Sequence, residues 1–157
     1  MRSVDLSVPD PVLVVLVGVA GCGKSTFAAE HFRPTQVLSS DVFRTLVSDD
    51  ATDQDASADA FTLLRAALDR RLRRRLTTVI DATNLTRRTR RPYLLRANRY
   101  EVAAVAIVFD VAFDVCVQRD EQRTDRHVGR DVLERQHDLL ARNPPTVDEG
   151  FAAVIRA

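Results

Sequence analysis

The sequence predicts an α/β chain: a three-layer sandwich around a mostly parallel five-stranded sheet. Three observations carry this expectation. Val12 to Val17 is an unbroken apolar run of strand length, as a central strand covered on both faces requires. A glycine-rich turn and a helical stretch follow it directly. Beyond them, short β-rich segments alternate with amphipathic ones, the pattern of parallel strands joined by helical crossovers.

Residues 1 to 11 are polar with two prolines and read as a loose leader, and 12–157 read as a single domain. A chain of 157 residues buries roughly two-thirds of its unfolded surface, so neither disulfides nor a structural metal are needed. The first helix is expected from Lys24 to His31, ended by Pro34, with a short strand over Gln36 to Ser39. Ala60, Leu64, Leu68, Leu72 and Leu76 recur every four residues, flanked by Phe61 and Ala67, and predict a long amphipathic helix. Thr77 to Ile80 reads as a strand ending at Asp81, Thr86 to Arg99 as a helix, and Val102 to Phe109 as another buried strand. Helices follow over Phe113 to Gln122 and Val128 to Ala141, the second with Val132, Leu133, Gln136, Leu139 and Leu140 as its inner stripe. Phe151 to Ile155 supplies the last strand, after Pro144 and Pro145.

The net charge of +1 excludes a polycation. The longest apolar run, Val12 to Ala20, is too short to span a bilayer and has no basic flank. Cys22 and Cys116 lack metal-ligand spacing, so a cytoplasmic protein without membrane attachment is expected. Lys24 is the only lysine among 23 lysines and arginines. A position that keeps lysine in so arginine-biased a chain calls for a compact ammonium on a flexible stem.

That lysine lies in Gly18-Val19-Ala20-Gly21-Cys22-Gly23-Lys24-Ser25, which satisfies the P-loop pattern G-x-x-x-x-G-K-S/T. Gly18, Gly21 and Gly23 let the backbone turn its N–H groups inward around phosphate, and the following helix points its positive end at the anion. The motif implies ATP or another nucleoside triphosphate with Mg²⁺. Cys22 lies within the cradle, Lys24 reaches the β- and γ-phosphates, Ser25 ligates the metal and Thr26 supports the loop.

Asp41, just after the second strand, is placed at the carboxyl edge of the sheet, where ligands bind in open α/β folds. A carboxylate there can take the proton of an acceptor hydroxyl, or it can serve only as a helix N-cap. Arg44, one turn later, suits a bidentate grip on phosphate. Asp81 at the end of the third strand suits the Mg²⁺ hydration shell, and Asn84 suits either a helix cap or an acceptor contact. Arg119, Arg123 and Arg126 share one face if their helix continues, and read either as an α-helical lid over the donor phosphates or as a solvated face paired with Asp120, Glu121 and Asp125.

The strings A-G-C-G-K-S-T-F, LSSDVFR, LVSDDATDQ, VIDATN and QRTDR occur in order between Val14 and Val128. Together they resemble the polynucleotide 5′-kinase module of bacterial RNA end-healing and repair enzymes and, more distantly, phage polynucleotide kinase and the zeta-toxin-like kinases. The resemblance implies a P-loop NTPase fold and transfer of the γ-phosphate of ATP to a 5′-hydroxyl end of RNA or DNA. In that scheme Asp41 is general base, Arg44 contacts the phosphate on the 3′ side, and Gln54 assists on the acceptor side. Arg119 and Arg126, with Arg123, hold the donor phosphates, and Asp49 and Asp50 match an acidic pair without a defined role. The same residues also fit a P-loop kinase for a small hydroxyl compound such as a nucleoside, metabolite or antibiotic, or a non-catalytic nucleotide-binding module. The runs Arg70–Arg75 and Arg87–Arg91 read either as a track for a nucleic-acid backbone or as solvated helix faces.

Overall fold

Strand β1 (Val12–Val17) is buried along its whole length and pairs in parallel on both sides, with β3 (Thr78–Asp81) and β4 (Ala103–Val108). The short β2 (Val37–Ser39) adds to β3 and β5 (Ala153–Arg156) adds to β4, giving the order β2-β3-β1-β4-β5. The sheet is therefore wholly parallel, beyond the mostly parallel expectation. It is described by a computed structural model covering residues 8–157. Most of the expected leader lies outside the described residues. Of the remainder, Val8 packs against one core layer, and the Asp10 carboxylate accepts a hydrogen bond from the Thr77 hydroxyl at 2.7 Å.

The pleat divides the strands between two cores. Leu13, Val15 and Val17 face α3 (Ser57–Arg73) and α4 (Arg87–Arg99). Val12, Val14 and Leu16 face α1 (Lys24–His31) and α5 (Phe113–Gln122). Helices α2 (Ser40–Ser48) and α6 (Arg130–Arg142) complete the chain. On α3 the four-residue repeat holds for Ala60, Leu64, Leu68 and Leu72, all fully buried. It fails at Leu76, because α3 stops at Arg73 and Arg75 turns the chain with a φ of 56°, leaving Leu76 42% exposed. On α6, Leu133 is buried, but Leu139 points out and is 41% exposed, so the inner stripe is narrower than expected.

The arginine runs are also broken up. Arg71 donates to Thr78 Oγ1 and to the Thr77 carbonyl, and Arg75 to the Tyr100 carbonyl. Arg90 is fully buried: its Nε and Nη2 donate to the two oxygens of Glu149 at 2.9 and 2.7 Å, and other N–H groups donate to the Asn84 and Asn143 carbonyls. A buried pair whose remaining donors are satisfied anchors α4 to the segment before β5. Arg90→Met leaves a buried carboxylate unpaired, and is expected to lower unfolding free energy in urea by about 3–5 kcal/mol. Arg90→Met combined with Glu149→Leu should lose less than the single change; an equal or larger loss would show that the backbone contacts, not the charge pair, carry the anchor.

Candidate active site

The glycine-rich turn leaves β1 and enters α1. Gly21 and Gly23 have φ values of 74° and 97°, which glycine reaches cheaply. Gly18 is confined to glycine for another reason, since a Cβ there would lie 2.6 Å from Cys22 Sγ and 3.1 Å from Phe109 Cβ. The Lys24 ammonium is buried within the loop and donates to the Gly18 and Val19 carbonyls at 2.9 and 2.7 Å, with Cys22 Sγ at 3.4 Å. A compact ammonium bridges these acceptors, and a planar guanidinium does not. A hollow of about 540 Å³ opens beside the loop, lined by Gly21 to Phe27, Glu30, Arg119 and Arg123. Cys22 and Thr26 both border this hollow.

Three contacts tie this loop to the end of β3. Gly18 N–H donates to the Thr83 carbonyl at 3.0 Å, Asn84 Nδ2 donates to the Leu16 carbonyl at 2.7 Å, and Ser25 Oγ donates to Asp81 Oδ2 at 2.8 Å. Asn84 is buried, with a left-handed φ of 50°, and its amide serves the backbone. Neither expected role, helix cap or acceptor contact, is what it does; Thr86 caps α4 instead. Burial raises the Asp81 carboxyl above its ordinary value, and the nearby Asp41 adds to this, while the Ser25 hydroxyl and the Lys24 charge pull it down. Ser25 and Asp81 could hold a divalent cation. Their oxygens suit a hard ion such as Mg²⁺, which keeps waters and takes substrate phosphate oxygens for its other positions. That matches the absence, among the described residues, of any group of three His, Cys, Asp or Glu able to hold a metal unaided.

A second cleft, about 130 Å³, shares Gly21, Lys24, Ser25 and Arg123 with the hollow and is walled by Asp41, Arg44, Asp81 and Arg126. Ser39 is the N-cap of α2, so Asp41 is not the cap; it lies in the first turn, where the helix dipole favours a carboxylate. Its Oδ1 receives two guanidinium groups, Arg44 Nη1 at 2.7 Å and Arg126 Nη1 at 2.9 Å. Arg44 Nε donates to Ser57 Oγ, and its head lies 5.9 Å from the centre of the Phe61 ring. The guanidinium is thus engaged with the protein on two of its nitrogens.

The lid differs from a continuous helical row. Helix α5 ends at Gln122 and Arg123 is extended, so Arg119 comes from the helix, and Arg123 and Arg126 from the loop after it. The buried Asp120 carboxylate accepts the Val128 and Gly129 N–H groups at 2.8 and 2.9 Å and straps that loop shut. Gln136 on α6 lines the cleft and its Oε1 accepts the Ala20 N–H at 2.8 Å. In sequence Asp120 reads only as a surface partner for the arginines, and Gln136 only as part of a packing stripe. Gln54 is exposed, donates to the Thr52 carbonyl, and is not among the cleft residues. Asp49 ends α2 at a φ of 61°, and Asp50 accepts the Thr52 N–H and hydroxyl, which hold its carboxyl below the ordinary value. The acidic pair builds a turn.

Residues 13–143 match the family model described as an AAA domain, which covers most of the chain. The chain belongs to the AAA domain family. This AAA domain is similar in fold to a chain of the Pnkp1/Rnl/Hen1 RNA repair complex, with a TM-score of 0.73, 24% identity, and coverage of 89% of this chain and 47% of that one. It therefore spans about half the length of that relative. A putative kinase from Chloroflexus aurantiacus J-10-fl aligns with a TM-score of 0.69 and 18% identity over 94% of this chain and 85% of that one. A gluconokinase from Sinorhizobium meliloti 1021 aligns with a TM-score of 0.57 and 21% identity over 95% and 83%. At such identities the shared property is the P-loop kinase fold, which is a nucleotide-binding fold. No curated protein matches the chain. No helix among the described residues is long and apolar enough to cross a membrane.

Two consequences can be measured. With its carboxyl pushed up in the folded state, Asp81 contributes stability that is present below pH 3.8 and lost as pH rises through the raised value. Asp81→Asn should therefore melt no lower than the parent at pH 7 without ligand, and should lose most of the stabilisation that Mg²⁺ with ATP gives the parent. A variant that melts much lower at pH 7 would contradict this. Asp120→Ala removes the charged acceptor of the Val128 and Gly129 N–H groups, at about 1–3 kcal/mol in total. Limited proteolysis should then cut at residues 123–128, with a raised KM for ATP.

Proposed function

We propose that this AAA domain is an ATP- and Mg²⁺-dependent phosphotransferase that phosphorylates the 5′-hydroxyl end of RNA or DNA. The observation that carries the reading is the position of the Asp41 carboxylate. It lines the same narrow cleft as Lys24, Ser25 and Asp81, and is joined to the loop after α5 through Arg126. The combination of this carboxylate with Arg44 and the Q-R-T-D-R lid string favours a polynucleotide end.

The loop amides and Lys24 bind the donor phosphates, and Arg119 and Arg123 border them from the lid. The metal held at Ser25 and Asp81 supplies positive charge to the phosphate oxygens when bound. Asp41 Oδ1 is fixed by two arginines, which leaves Oδ2 to accept the acceptor's hydroxyl proton. The acceptor oxygen then bonds to the γ-phosphorus as the bond from that phosphorus to the β,γ-bridging oxygen breaks. ADP leaves with the bridging electron pair. Arg126, placed between Asp41 and the lid, makes closure over the donor and orientation of the base a single event.

The cleft of about 130 Å³ also favours a second reading, a small hydroxyl acceptor, and the likeness to a gluconokinase agrees with it. Labelled ATP with Mg²⁺, offered 5′-hydroxyl RNA, 5′-hydroxyl DNA and a set of small alcohols, decides between them. Label on oligonucleotide ends is expected. Label only on small alcohols selects the second reading, and ATP binding without transfer to any acceptor makes the chain a binding module. Asp41→Asn should lower kcat by about 10²–10⁴-fold with ATP affinity retained, and Arg44→Ala should mainly raise KM for the acceptor. Full activity in Asp41→Asn would remove the base.

A further inference from the structure

A concavity larger than the cleft or the hollow beside the phosphate loop lies elsewhere among the described residues. A groove of about 880 Å³ runs along α4, between that helix and the segment from Val147 to Ala152, and shares no lining residue with the site described above. It is polarised. At one end Arg87, Arg88 and Arg91 are exposed, with no ion-pair partner among the described residues. The only acidic residue lining the groove, Glu149, has both oxygens taken by Arg90, so nothing within the groove neutralises that end. The rest is aliphatic. Leu94, Ala97 and Val102 form the floor, and Leu95 and Val147 rise from the rim at 55% and 58% exposure.

These features identify the occupant by its chemistry. A nucleic-acid strand would use the three arginines but would find no stacking platform, since the one aromatic residue in the lining, Phe151, is 3% exposed. An apolar trough with cationic groups at one end is complementary to a helix that carries leucine-like side chains along one face and carboxylates at one end. From Arg87 to Asn98 the groove follows roughly 17 Å of helix, about three turns of a partner. We propose that this face docks an acidic amphipathic helix of a partner protein, its carboxylates on Arg87, Arg88 and Arg91 and its apolar side chains on Leu94, Leu95 and Val147. The inference is independent of which acceptor the catalytic cleft takes.

The test uses the full chain and a fluorescein-labelled peptide of about 18 residues, long enough to hold helix. The peptide carries leucines at i, i+3, i+4 and i+7 and glutamates clustered at one end. Saturable anisotropy is expected. It should weaken roughly tenfold in the triple variant Arg87→Glu, Arg88→Glu, Arg91→Glu, and separately in Leu95→Asp. All of these positions are exposed, so melting temperature and ATP binding should stay at parental values and exclude misfolding. Equal binding by parent and variants, or by a peptide with lysine in place of glutamate, overturns the proposal. So does absence of saturable binding. Capture of an RNA oligonucleotide that the peptide does not displace, lost on arginine reversal, overturns it too and assigns the face to nucleic acid.

Discussion

The site depends on the junction between the phosphate loop and the end of β3. Parallel pairing of β1 with β3 brings Val15 opposite Ile80, so both strands deliver their exits to the same sheet edge. Pairing alone does not fix a loop to within a hydrogen bond. That is done by the Gly18–Thr83 backbone contact and by the Asn84 amide on the Leu16 carbonyl. With those two in place, Ser25 meets Asp81 and the proposed donor half of the cleft is set before any ligand arrives. Preorganisation of this kind places the cost of orienting the polar groups on folding rather than on the reaction.

The proposed acceptor half is assembled differently. Asp41 comes from the first turn of α2 and Arg126 from a loop eighty-five positions away in sequence, and one carboxylate oxygen holds them together. An exposed ion pair is weak by itself, and the Asp41 side chain is 46% exposed. Its neighbours make the geometry definite. Arg44 is pinned by Ser57 and Phe61, and the loop bearing Arg126 is closed by Asp120. A weak central contact between two well-held parts can open for substrate without disturbing either part.

The sequence was legible where one physical rule acted locally. The apolar run of β1, the four-residue repeat of α3 and the glycine-rich loop each carry their own signal; the loop motif singles out Lys24 and Ser25, and a place at or just after a strand end singles out Asp41 and Asp81. What sequence could not show is which polar side chains the backbone would claim. Asn84 satisfies a carbonyl on another strand, Arg90 is withdrawn from a basic run into the core, and Gln136 bonds a loop amide 116 positions away. All three partners are distant in sequence. The end of α5 at Gln122 was legible, but the strap that replaces the next turn was hidden, because it joins Asp120 to amides that follow the arginines.

The buried charges of this domain therefore fall into two kinds. Arg90 and Asp120 are surrounded by partners that satisfy them, and they behave as scaffold: removing Arg90 leaves a buried carboxylate without its charge partner, and removing Asp120 unties the loop that bears Arg123 and Arg126. Asp81 is under-served. One hydroxyl and a nearby ammonium do not offset its burial, and its carboxyl is pushed up as a result. A folded protein tolerates such a group where a cation can complete its surroundings, because the same desolvation that destabilises the bare carboxylate strengthens its attraction for an incoming positive charge. On this argument the burial of Asp81 beside the Ser25 hydroxyl supports the proposed position for a cation.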